Sequence, residues 1–432
     1  MLSGIALILA MCAQPALAAT INVGGRCTLE RAITAANNDS TAGGACRRGR
    51  GADRIVLPRN GRHVLTGVNN RTYGPTGLPV IRSRVTIVGN GNTILRARRA
   101  ERFRIFAVAR SGRLTLNRLT IRGGFASRSN RGSGGGGIRS IGVLISINVR
   151  FDGNFSFYGS GGGIWAQNIV VIIRNRFSRN RSFCSILPDA PACVDVNGGG
   201  VFYASGPDPI TDLQPIPSLT IGDSTFVSNI ASGTGGGVMV CGDAAISDSI
   251  FADNAAEQGG GLSIDDEGSS VELTDSTMTD NTATESGGGI FIADGTALTL
   301  NNTVVAGNFA PRAREAIAEP GSFVDADNFN TIGHSDIHGV VGFTPGPSDI
   351  VAEQPPPAPP IADPAPPAPP VAVPPPPPTP ETPPVQPAPP LPPADPAPAP
   401  GEDPSPEPPP PPADPSPPSG GGDDAGADEP PA

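Results

Sequence analysis

The chain has 432 residues, among them 56 Gly and 52 Pro, each far above ordinary usage. Its formal charge of −10 is reached without a single lysine, so all 30 basic residues are Arg. Six Cys and three scattered His show no zinc spacing, and no long apolar run after the leader offers a transmembrane anchor.

Residues 1–18, MLSGIALILAMCAQPALA, read as a signal peptide. The apolar run Ile5–Ala13 is too short for a bilayer, and Ala16-Leu17-Ala18 is a small-residue cleavage pattern, so the chain is expected to be exported and secreted or at the cell surface. In an oxidising compartment Cys27 with Cys46 and Cys184 with Cys193 are the expected disulfides, which leaves Cys241 over. The stretch CTLERAITAANND predicts a capping helix over 27–37 with Thr28 as its cap. Leu29, Ala32, Ile33 and Ala36 fall on one face, as a lid over an open sheet end requires. The first strand is expected after it, in ADRIVLP.

From Phe151 onward a phrase recurs: an apolar residue, two spacers, Asn, a short polar stretch, GGG, then alternating apolar residues. The repeated Asn are Asn154, Asn180, Asn229, Asn254, Asn281 and Asn308, spaced 26, 49, 25, 27 and 27 residues apart. A period in the twenties marks a solenoid, and strand-like alternation without a helical pattern makes it all-β. The expected fold over 19–350 is therefore a right-handed parallel β-helix with three short strands per coil. Its Asn stack as an amide ladder, its leading Phe, Met or Val stack inside, and 181–220 form an insertion that explains the long spacing.

CTLERAITAANN followed by GADRIVLP resembles the CSLREA-type N-terminal module of bacterial β-helix proteins. The FxxN and GGG-apolar repeats resemble the chlamydial polymorphic outer membrane protein repeat, and NTIGH from Asn330 with GFTPGPSDI from Gly342 is similar to the closing segment of the same group. The resemblance implies a secreted or surface-displayed β-helix, often without catalytic activity. Relatives with an outer-membrane barrel differ from this chain, whose end, GGGDDAGADEPPA, shows no barrel strand pattern.

Three surfaces are candidate sites. If the residue after each GGG points inward, then Arg139, Trp165, Phe202, Met239, Ser263 and Phe291 form an outward row, either a glycan-binding groove or a face covered by the insertion or the tail. Asp253 with Asp280 and Glu257 with Glu285 share repeat positions, so they stack either as a Ca²⁺ site, aided by Asp265, Asp266 and Glu267, or as solvated turns. No other cofactor is expected. The third surface is the basic half: between Thr20 and Phe183 there are 28 Arg against five acids, whereas from Cys184 onward two Arg face 35 acids. That half suits acidic polysaccharide, lipopolysaccharide or another polyanion, or the acidic half of a second copy arranged head to tail. Residues 351–432, Pro-rich and acidic without Arg, read as a disordered spacer or strap. The expected function is adhesion or polyanion and glycan binding without catalysis. A polysaccharide lyase or glycoside hydrolase and a self-assembling surface protein stand as the alternatives.

Overall fold

The computed structural model describes residues 18–127, 134–184, 196–205, 219–313, 315–320, 322–328, 330–332, 340–341, 348 and 350–351. Within them the chain winds as a parallel β-helix, and strands from successive turns pair in register. One turn shows the plan. Ala244–Ser247 and Ile250–Ala252 lie in a first ribbon, Ala255–Gln258 in a second and Leu262–Asp265 in a third. Among the described residues the three ribbons hold 19, six and nine strands.

Strand alternation puts one row inside each ribbon. In Ser270–Thr274, Val271 and Leu273 are buried while Ser270 and Glu272 face water. The leading residue of the repeat builds the expected core ladder. Rings of Phe151, Phe177, Phe226 and Phe251 stack 4.5, 4.7 and 4.8 Å apart, and Met278, Val305 and Ile332 continue the row. Each rung buries its side chain only against its neighbours, so no single turn is stable alone.

The corners explain the repeated Asn and Gly. Asn254 Nδ2 donates to Asn281 Oδ1 at 2.9 Å and to the Phe226 carbonyl at 3.0 Å, while its Oδ1 accepts from the Asn229 backbone and side-chain amides. The same bonds link all six expected Asn. Asn180 bonds Asn229 directly at 3.0 Å, so the 49-residue spacing is one turn. Of the expected insertion, Arg181–Phe183, Val201–Ala204 and Leu219–Gly222 are rung strands, and 185–195 and 206–218 lie outside the described residues. At the GGG corner adjacent backbones nearly touch: a Cβ on Gly236 would stand 2.4 Å from the Gly260 carbonyl oxygen.

At the N-terminus a helix, Leu29–Asn37, covers the first turns with Leu29, Ala32, Ile33, Ala35 and Ala36 buried, and the Thr28 hydroxyl accepts from Arg31 N. The first strand is not the one expected. Thr20–Asn22 precedes the helix and pairs in parallel with Arg54–Val56, because three residues suffice once a neighbouring strand supplies the template. Cys27–Cys46 is bonded as expected. Cys184 is disulfide-bonded, and its expected partner Cys193 lies outside the described residues, as do 1–17, His334, His338 and 352–432.

Candidate polyanion-binding surface

The first ribbon bends between its two arms at a residue with left-handed backbone. In chain order these residues are Arg118, Asn148, Arg174, Asp223, Asp248, Asp275 and Asn302, with φ between 46° and 56°. A second left-handed row at the next corner includes Arg179, Ser228, Asp253 and Asp280. Asn and Asp suit this conformation because their short side chains satisfy the local backbone, and Arg has no such advantage. Three arginines hold it nevertheless, all in the basic half.

Two of those arginines, Arg118 and Arg179, border a groove. In the outward row of the second arm, Thr120, Arg150, Arg176 and Thr225 lie side by side in register, so two guanidinium-bearing residues are one strand spacing apart, about 4.8 Å. A depression of about 500 Å³ is lined by Arg122, Arg150, Arg176 and Arg179, with Asp152 as its sole acid. A neighbouring one, lined by Arg59, Arg118 and Arg150, shares Thr120 and Arg150 with it, so the two adjoin. Asp152 holds Arg179 at 2.6 Å and Arg122 at 3.3 Å. Among the described residues Arg59, Arg118, Arg150 and Arg176 make no ion pair. Like charges stacked on adjacent strands are destabilising, and a bound anion relieves them. The sign changes at Arg174 and Asp223, 3.6 Å apart, beyond which Asp248 and Asp275 continue the row.

An aromatic row lies around the corner on the second ribbon. Phe125 and Phe155 stack 5.0 Å apart, Phe155 is in register with Arg181, and Phe157 is in register with Phe183, which is 44% exposed. The Arg102 guanidinium sits 4.8 Å above the Phe125 ring. Two residues separate each groove position from this row: Arg122 leads to Phe125, Asp152 to Phe155 and Ser178 to Arg181, each across one tight turn.

The outward row on the third ribbon has the expected order: Arg139, Trp165, Phe202, Met239, Ser263 and Phe291 are register partners in sequence. It is not an open face. Met239 and Ser263 are buried, Phe291 packs with Ala313 and Ile317, and Arg139, Trp165 and Phe202 are half-buried. The Arg139 guanidinium lies 3.9 Å from the centre of the Trp165 ring, and burial lowers its pKa. Burial and then Arg139 push the interior Arg104 down to about 9. Periodicity told which way these side chains point, not what packs over them.

On the acidic half, Asp253 and Asp280 occupy equivalent left-handed corners. Glu257 and Glu285 are brought into contact: burial, then the Glu285 charge and a hydrogen bond to Glu285, raise the Glu257 pKa. Gln258 Nε2 donates to Glu285 at 3.3 Å. Asp265 accepts from the Asp266 backbone, and among the described residues no group of three His, Cys, Asp or Glu is placed to hold a metal ion. No described helix is long and apolar enough to cross a membrane.

Two buried features were missed in the sequence. Glu315, fully buried, ends the Asn ladder: its carboxylate accepts from Asn308 Nδ2 at 2.8 Å and from the backbone N of Gly307 and Asn308. A second ladder runs through Asn175, Ser224, Ser249 and Ser276, each backbone N donating to the next side-chain oxygen. Its changing residue type hid it, although its 49-, 25- and 27-residue steps match those of the Asn ladder.

The family model of the Chlamydia polymorphic membrane protein repeat matches residues 275–293. That span runs from the left-handed Asp275 through Met278 and Asn281 to the third-ribbon strand Ile290–Ile292, which is the greater part of one 27-residue turn of the solenoid. No curated protein and no solved structure matches the chain. The protein is a parallel β-helix in which one turn is similar to the polymorphic membrane protein repeat.

Proposed function

We propose that this protein is an exported, surface-associated β-helix that binds acidic polysaccharide along the basic half of its first and second ribbons. The observation that carries the reading is the pair of adjoining depressions lined by Arg118, Arg122, Arg150, Arg176 and Arg179, with Asp152 as the only acid in their lining. Guanidinium groups bind carboxylates or sulfates bidentately, and a regular rung spacing suits a ligand with a regular repeat. The repeat match supports surface association, since it is a repeat of membrane proteins. The aromatic row beside the groove offers flat apolar faces to pyranose rings, with Arg102 and Arg181 at its edges.

The test compares a uronate polysaccharide with polyphosphate of equal charge, following both affinity and chain length. Binding of both, a preference for the polysaccharide that is lost in Phe155→Ala, and unshortened chains are expected. Equal affinity for the two before and after the substitution would leave a general polyanion binder. Shortened chains would make the protein an enzyme.

A further inference from the structure

We propose that the chain is cut between Ala18 and Ala19, and that the new α-ammonium of Ala19 closes a buried ion pair with Asp53. Ala18 is exposed and Ala19 is 7% exposed, so the surface of the fold begins at this peptide bond. Ala19 is already anchored from both sides. Its carbonyl accepts from Arg54 N at 2.8 Å, and its own N–H donates to Asp53 Oδ1 at 3.1 Å. Asp53 is 1% exposed, and Arg50 N donates to the same Oδ1 at 2.7 Å. Its Oδ2 has no hydrogen-bond partner among the described residues.

A carboxylate this deeply buried needs a cation. None is in place: Arg50 and Arg54 are exposed, no described ion pair reaches Asp53, and the charge that acts on it is that of Asp39, of like sign. Burial accordingly raises the Asp53 pKa in the uncut chain, against two backbone hydrogen bonds that lower it. The site is also tight on the Gly49 side, since a Cβ there would stand 2.7 Å from Asp53 Oδ2 and 2.3 Å from the Ala35 carbonyl oxygen, so position 49 cannot itself carry a cationic side chain. Hydrolysis supplies a compact one. Water adds across the Ala18–Ala19 bond under a leader-cleaving protease, the carboxylate departs on Ala18, and the amine stays on Ala19, protonated at neutral pH. One N–H donor becomes three, enough to serve both carboxylate oxygens. The leader then does more than direct export: while attached it withholds the last ion pair of the first turn.

The ammonium, stabilised by Asp53, has a raised folded-state pKa. Its contribution is complete below the unfolded α-amine range, near ~8, and is lost as pH rises through the folded value. The experiment compares the chain beginning at Ala19 with the same chain extended by residues 16–18. At neutral pH the Ala19 form melts a few degrees higher, the gap closes as pH rises, and Asp53→Asn abolishes it. Equal melting of the two forms across the whole range overturns the proposal. Should Asp53→Asn fail to fold, the pH dependence of the gap in the unsubstituted chain still decides. N-terminal sequencing of the exported protein is expected to give Ala19 first, and any other first residue overturns the assignment of the cut.

Discussion

Arg118, Arg174 and Arg179 sit in left-handed backbone where later turns of the same rows place Asp223, Asp248, Asp275, Asp253 and Asp280. A left-handed residue without local side-chain support costs about 1–2 kcal/mol, and such strain persists where it serves a site. Arg118→Asn is therefore expected to raise stability by up to ~1 kcal/mol in denaturant melts while weakening polyanion binding. A variant that lost stability would show that the guanidinium packs rather than binds. Glu257 gives a second expectation. Its folded pKa is raised, so the folded state holds its proton to higher pH than the unfolded chain does. Stability from this group rises as pH falls from that raised value toward the ordinary carboxylate range, and Glu257→Gln should flatten the profile there. An unchanged melting profile would mean that the two carboxyls are apart in solution.

At the scale of the element, the Asn ladder is the sheet-corner device that fixes register. Asn254 serves four bonded groups with no exposure to water, so Asn254→Ala strands buried donors and acceptors on both neighbouring turns. A loss on the order of 3 kcal/mol is expected, similar to that of Phe226→Ala in the core row beside it. Chemical denaturation checks both, and a loss below ~1 kcal/mol for Asn254→Ala would show that water replaces the ladder. This ladder was legible because the same residue returns at the same step. The Ser–Asn ladder was not, because Ser224, Ser249 and Asn175 do one job with two residue types. Glu315 was illegible for a different reason: a terminal cap occurs once and leaves no period. The strand Thr20–Asn22 was missed because three residues show no alternation to read.

Across the whole molecule, the segregation of 28 Arg into Thr20–Phe183 was plain in the sequence, but its use was not. Composition does not say which Arg share a face. Winding does, by bringing Arg118, Arg150 and Arg176 from three successive turns to one groove. The third-ribbon row was the reverse case, correct in order yet largely packed over, and the exposed ring is Phe183 on the second ribbon, beside the half-buried Phe125 and Phe155. A groove that binds through several guanidinium groups must respond steeply to salt, since bound polyanion exchanges against free counter-ions.

The affinity of the protein for a uronate polysaccharide, measured across ionic strength for the unsubstituted chain and for Arg150→Ser with Arg176→Ser, tests this most directly. Each charge-assisted hydrogen bond contributes ~1.5 kcal/mol, so the double variant is expected to bind on the order of a hundredfold more weakly at low salt, with a shallower salt dependence. Equal affinity and equal salt dependence in the two proteins would contradict a polyanion site in the arginine groove.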